Sequence, residues 1–113
     1  IILVSMNKSI KENAEKGIPE EMVEKTIHEL CKLILASNDE DFVYSFFECL
    51  FTKPELKDMA SRWLLVKEID KGTTQREIAK AFSMSLCKIT RGSRELQKSD
   101  SAFRKMLEMS KNL

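Results

Sequence analysis

The sequence predicts an all-α protein, and three features of its 113 residues support that prediction. Apolar residues recur at helical spacing through most of the chain. Glycine and proline are few, with three and two copies respectively. Several Ser or Thr residues are followed three positions later by Glu, which is typical of a helix start. We therefore expect about six helices and no strands, in a single domain at residues 19–113.

The first 18 residues are predicted to form a mobile N-terminal arm, because polar and charged side chains dominate residues 6–18. Residues 1–5 precede Met6, and we expect them to be upstream or added sequence. They are too short for a signal peptide and follow no basic segment. No apolar run of the chain approaches the length of a membrane span.

Three cysteines bear on the cell compartment. Cys31, Cys49 and Cys87 are odd in number, widely spaced and set among apolar residues. This pattern predicts reduced, packed side chains in a cytoplasmic protein. With a single histidine, no spacing fits a metal site, and we predict neither a metal nor a cofactor.

The second predicted helix indicates oligomerisation. We expect the first helix to begin at Pro19 and the second at Ser37, with Glu40 three residues further on. From Phe42 to Phe51 the second helix is apolar nearly all round. A helix of this kind cannot bury every face within so small a domain. We therefore predict an intertwined homodimer of six-helix subunits.

Capping signals mark the remaining helices. Thr52 and Glu55 form a capping box, and the helix they begin is expected to stop at Gly72. Ser85 can cap one later helix, and Asp100 is predicted to cap the last.

Two short helices joined by a tight turn are predicted at residues 74–93. Thr74 and Glu77 form another capping box at the start of the first helix. Ala79 supplies a small side chain where the two helices would cross, and Ile89 supplies a branched apolar one that would lock them together. The pattern predicts a helix-turn-helix, whose second helix enters the major groove of DNA. An ordinary helical hairpin is the alternative.

Positive charge is concentrated around this segment. Residues 1–52 contain 5 Lys/Arg and 10 Asp/Glu, whereas residues 53–113 contain 14 and 8. Within residues 71–98 the numbers are 7 and 2. Such a surface is suited to phosphate groups, although a solvated basic face without a partner is also possible. Because there is no nucleophile–base pair and no Gly-rich nucleotide loop, we do not expect an enzyme.

Four segments of the chain carry a family resemblance. They are Leu50–Glu55, Ala60–Arg62, Gly72–Ile78 and Ile89–Ser93. At this spacing they resemble the tryptophan repressor family, over roughly residues 42–110. The resemblance implies a homodimeric transcriptional repressor that binds a palindromic operator, with L-tryptophan as its corepressor.

The resemblance also implies a tryptophan site at the subunit interface. In the family two arginines sandwich the indole and one of them holds the ligand carboxylate, and Arg62 and Arg91 stand at these positions. Gly92 matches a glycine that leaves room for the flat ring. The ligand-binding residues implied in this way are Thr52, Arg62, Leu65, Val66, Arg91, Gly92, Glu95, Cys49 and Phe51. The last two, Cys49 and Phe51, would come from the second subunit. Alternatively, Arg62 forms a core ion pair and Arg91 contacts only phosphate.

Glu95 departs from the family pattern, in which a small hydroxyl residue is common. Its carboxylate can pair with the ligand ammonium, or it can bond Arg91 and close the site. Lys88 also departs, because it replaces a smaller residue.

The predicted DNA-binding residues are Gln75, Arg76, Lys80, Lys88 and Thr90. We place Gln75 and Lys80 near phosphates. One alternative is a related DNA-binding regulator that needs no ligand or senses a different small molecule. Another is a helical protein-interaction module without DNA binding, whose acidic N-terminal half would be the partner surface.

Overall fold

The structure, a computed structural model, describes residues 17–113. Over this range it contains six α-helices and no strands. They are α1 (Glu20–Ser37), α2 (Glu40–Leu50), α3 (Lys53–Asp70), α4 (Gln75–Phe82), α5 (Leu86–Gln97) and α6 (Ala102–Ser110). The all-α prediction is confirmed. The predicted arm, with residues 1–5, lies outside the described residues except for its last two positions.

The described residues divide into two compact units, residues 17–46 and residues 47–113. In the described part of the first unit, α1 has no buried residue. Several large apolar side chains there are mostly exposed, among them Leu35 at 80% and Tyr44 at 63%. None of the helices in residues 17–113 is long and apolar enough to cross a membrane.

The second unit has its core on both sides of α3. Two neighbouring residues of that helix, Leu65 and Val66, are almost fully buried. Leu65 packs with Ile78 of α4 and Ile89 of α5, and this set is called the reader cluster below. Val66 belongs to a second cluster with Leu96 and Leu107. Since apolar burial is the main stabilising contribution, α3 is the scaffold on which α4, α5 and α6 are held.

The helix starts follow the predicted caps in three cases. At α3, Glu55 N–H donates to Thr52 Oγ1 (3.3 Å) and Thr52 N–H donates to Glu55 Oε1 (2.9 Å), which completes the box. The Thr74–Glu77 box at α4 is also complete. Ser85 Oγ accepts the N–H of Lys88 at the start of α5 (3.4 Å). The two boxes satisfy backbone N–H groups that a helix start leaves free.

Two predicted caps are wrong. Ser37 is the last residue of α1, and its hydroxyl donates to the Ile34 carbonyl. Asn38 then ends α1 in the left-handed conformation (φ 44°), and Asp39 accepts the N–H of Phe42 instead. At α6 the cap is Ser101, one residue after Asp100. Neighbouring residues can each cap a helix, and the direction in which the chain enters decides which does.

The cysteine prediction is half right. Cys31, Cys49 and Cys87 are free, but each is exposed rather than packed. Cys31 lies on α1, which buries no residue, and Cys87 lies on the side of α5 away from Ile89 and Gly92.

Removal of the α4 cap should destabilise the protein measurably. We expect Thr74→Ala to lower the free energy of unfolding by about 1 kcal/mol, because the Glu77 N–H loses its acceptor, Thr74 Oγ1. The control is Thr26→Ala in the exposed middle of α1, which should stay within about 0.5 kcal/mol of the wild type. Urea denaturation at fixed protein concentration measures both. Equal effects from the two variants would contradict a stabilising cap.

Candidate ligand site and nucleic-acid interface

A cavity of about 150 Å³ lies among α3, α5 and α6 of the second unit. Six of the nine predicted ligand-binding residues line it, and they are Arg62, Leu65, Val66, Arg91, Gly92 and Glu95. Thr52 caps α3 and does not line this cavity. Cys49 and Phe51 were assigned to a second subunit, and within this chain they lie outside the cavity lining. The structure thus brings six of the nine residues, from α3 and α5, to the lining of one cavity.

The apolar side of the cavity is also part of the helix packing. Leu65 and Val66 are only 2% and 1% exposed. A Cβ atom at Gly92 would lie 3.1 Å from Leu65 Cδ2, closer than nearly all real contacts of this kind. Gly92 therefore permits α5 to approach α3 closely.

A bridging carboxylate lies beside the cavity. Asp58 Oδ2 is 3.3 Å from Arg62 Nη2, and Asp58 Oδ1 is 3.3 Å from Lys88 Nζ. All three side chains are about half exposed, so these ion pairs stabilise the fold only slightly. The alternative of a core ion pair for Arg62 does not hold, because its partner lies at the surface.

Glu95 does not close the site by bonding Arg91. Its Oε1 lies 2.8 Å from Nζ of Lys98, the residue that follows the end of α5. Among residues 17–113, no ion pair involves Arg91. Arg91, which lines the cavity, consequently has no carboxylate partner among these residues.

Most of the predicted DNA-binding residues lie at the surface of the α4–α5 pair. A three-residue turn, Ser83–Ser85, joins these helices at the predicted place. Gln75, Arg76 and Lys80 are exposed, whereas Thr90 is half-buried. Lys88 is exposed but paired with Asp58.

The turn itself has an unusual residue. Ser83 has φ 51°, a left-handed conformation that favours glycine. It ends α4, with its N–H donating to the Ala79 carbonyl.

Sequence reasoning missed two residues of the cavity, Lys88 and Phe103. Lys88 could have been found, since positions 88, 91, 92 and 95 share one face of a helix. Phe103 had no such signal, because α6 reaches the cavity only through tertiary packing.

Two carboxyl groups of the second unit have a lowered pKa, and both lie at helix ends. Hydrogen bonds from the backbone and side chain of Thr52 lower the pKa of Glu55. The Thr73 hydroxyl, with help from Lys71, lowers the pKa of Glu68. Neither carboxyl lines the cavity, so their lowered pKa values reflect caps and turns.

The chain is similar to known proteins of one family. The family model described as "Trp repressor protein" matches residues 25–111. A Trp operon repressor homolog of Chlamydia caviae is 40% identical over 81 residues, which is 71% of this chain and 77% of the relative. A homolog of the same name from Chlamydia trachomatis serovar L2 is 39% identical over 70 residues, or 61% and 74% of the two chains.

A Trp operon repressor homolog of Xylella fastidiosa (strain M23) is 31% identical over 75 residues, which is 66% of this chain and 82% of the relative. No solved structure matches the chain significantly. These relatives place the protein among regulators of transcription, which are not an enzymatic class. The chain belongs to the Trp repressor family.

Proposed function

We propose that the protein is a ligand-dependent transcriptional repressor that binds a palindromic operator as a homodimer, with L-tryptophan as its corepressor. The cavity carries this proposal, because Arg62 and Arg91 both line it beside the buried Leu65 and Val66. An apolar wall beside two guanidinium groups suits a ligand with an aromatic ring and a carboxylate.

Each arginine has a distinct task in the proposal. Arg91 has no ion-pair partner in the described chain, so its guanidinium would receive the ligand carboxylate through two parallel hydrogen bonds. Arg62 is already paired with Asp58 and would stack its planar group on the indole. Phe103 and Leu65 would supply apolar contacts to the ring.

Glu95 would bind the ligand ammonium. We expect Glu95→Gln to lower the affinity for L-tryptophan about tenfold, because a charge-assisted hydrogen bond becomes a neutral one. Indole-3-propionate lacks the ammonium group, so Glu95→Gln should bind it as tightly as the wild type does, or more tightly. Calorimetric titration of both ligands measures this difference. The control is Glu108→Gln, an exposed residue of α6 outside the cavity lining. An equal loss for both ligands would contradict the assignment.

The α4–α5 pair would bind operator DNA. Exposed Gln75, Arg76 and Lys80 suit phosphate contacts. At the start of α5, Leu86 is 59% exposed although it is apolar, and an apolar side chain in the major groove suits a thymine methyl group. Thr90 would lie further along the same helix.

The ligand would act through the position of α5. Lys88, Arg91 and Glu95 line the cavity from the same helix that would enter the groove. A ligand bound there would favour one position of α5 and hold the two DNA-reading helices of a dimer about 34 Å apart, one turn of DNA. The free energy by which the ligand shifts the equilibrium between the two states is limited to the difference in its binding free energy for them.

Exposed apolar side chains support the proposed homodimer. Phe42, Tyr44 and Leu50 of α2 are 59%, 63% and 49% exposed, and a second subunit would cover them. Cys49 and Phe51 of that subunit would then complete the tryptophan site.

We also propose that the protein acts in the cytoplasm, where its free thiols would stay reduced.

A calorimetric titration of the purified protein with L-tryptophan, without DNA, tests the proposed function. We expect saturable binding of one ligand per subunit, together with an increase in melting temperature. Sedimentation of the same sample should give the mass of a dimer. Absence of both heat and a thermal shift at millimolar L-tryptophan would contradict the proposal.

A further inference from the structure

We infer that Lys88 binds the ligand carboxylate together with Arg91, as a cation that this chain adds to the cavity. This inference rests on the proposed function and specifies the chemistry of its ligand. Lys88 lines the cavity together with Arg62 and Arg91.

The charges around the cavity favour an anion. Three cationic side chains line it, whereas the single lining carboxylate, Glu95, is matched by Lys98. Asp58 stands between two of the cations and can neutralise only one positive charge. A ligand carboxylate would therefore enter a region of net positive charge.

Asp58 is a positioning residue for Lys88. The lysine ammonium has three N–H donors, and its pair with Asp58 Oδ1 at 3.3 Å occupies one. The other Asp58 oxygen pairs with Arg62, so the same carboxylate holds both cations at one side of the cavity. Two donors of Lys88 remain for an incoming carboxylate.

The location of Lys88 along α5 supports this role. Lys88, Arg91 and Glu95 lie three and four residues apart, and such positions fall on the same face of a helix. Arg91 and Lys88 would therefore approach one carboxylate from the same helix face. Because its ammonium is already paired with Asp58, the contribution of Lys88 to operator binding would be mainly indirect.

The test is calorimetric titration without DNA, using wild type and Lys88→Met, which removes the charge and keeps an unbranched side chain. The ligands are L-tryptophan, indole-3-propionate and tryptamine, the last of which lacks the carboxylate. We expect Lys88→Met to weaken both carboxylates about tenfold and to leave tryptamine unchanged or slightly stronger. Lys57→Met is the matched control, since Lys57 lies next to Asp58 in sequence but outside the cavity lining. Equal melting temperatures establish that the variants are folded.

The outcomes separate this inference from the proposed function. If wild type binds L-tryptophan and Lys88→Met binds both carboxylates equally well, the inference is overturned and the proposed function stands. If wild type binds indole-3-propionate but not L-tryptophan, and Lys88→Met weakens the binding of indole-3-propionate, the corepressor assignment fails and the inference stands. If wild type binds neither carboxylate, both are overturned. The role of Lys88 is also overturned if Lys88→Met loses tryptamine affinity as much as carboxylate affinity. It is likewise overturned if Lys57→Met loses as much carboxylate affinity as Lys88→Met.

Discussion

Arg91→Ala should weaken L-tryptophan binding by roughly 10- to 100-fold, the largest effect that we expect from any single change in the cavity. Arg91 lines the cavity, and no carboxylate in residues 17–113 pairs with it. Its replacement would therefore remove the proposed carboxylate contact without releasing a buried charge. Arg91→Lys should restore only part of the affinity, since an ammonium group cannot form the two parallel hydrogen bonds.

Arg94→Ala is the matched control for this prediction. Arg94 is an exposed arginine on the same helix, and it does not line the cavity. Calorimetry should give nearly the same L-tryptophan affinity for Arg94→Ala as for wild type. If the two alanine variants lose affinity equally, Arg91 contributes only a positive charge near the ligand, as Arg94 does, and the assignment of Arg91 to the site is wrong.

Ile89→Ala should lower the free energy of unfolding by about 2–5 kcal/mol, the largest effect that we expect on stability. Ile89 is fully buried and joins α5 to α4 and α3 within the reader cluster. Alanine would leave a cavity at the point where all three helices meet. Urea denaturation, at one protein concentration for all variants, measures the loss.

Leu86→Ala provides the comparison, because it also removes a large apolar side chain from α5. Leu86 is 59% exposed, and we expect a change within about 0.5 kcal/mol. This variant should instead weaken operator binding, if Leu86 contacts a thymine methyl group. Equal destabilisation by Ile89→Ala and Leu86→Ala would contradict the reader cluster as the element that holds α5.

The sequence predicted the helices well where a local signal decides the structure. The Thr52–Glu55 and Thr74–Glu77 boxes formed as expected, because both partners lie within one helical turn. The caps at Ser37 and Asp100 were wrong, since neighbouring polar residues competed for the same helix start. Local chemistry therefore indicates that a helix begins, and the path of the chain selects the residue that caps it.

The cavity was predictable only in part. The motif match brought Arg62 and Arg91 to one site from positions 29 residues apart, although helical periodicity alone could not have done so. Phe103 entered the wall through the packing of α6, for which no short-range pattern exists. The partner of Glu95 was also unforeseen, because Lys98 competes with both partners that we had considered.

A link between the cavity and the DNA-reading surface is the central claim, and α5 is the element that both share. It packs through Ile89 against the reader cluster, lines the cavity through Arg91, and exposes Leu86 at its start. Ligand-dependent DNA binding follows if the ligand favours the position of α5 that fits the groove.

The most direct test is a fluorescence anisotropy titration of a labelled palindromic duplex, selected from a random pool, with and without L-tryptophan. The account predicts that saturating L-tryptophan raises the affinity of the wild type by about 5- to 150-fold, and that Arg91→Ala loses this gain. The affinity should also fall steeply with salt, as expected when phosphates are neutralised. An operator affinity that is the same with and without L-tryptophan, in a protein that binds the ligand, would contradict the account.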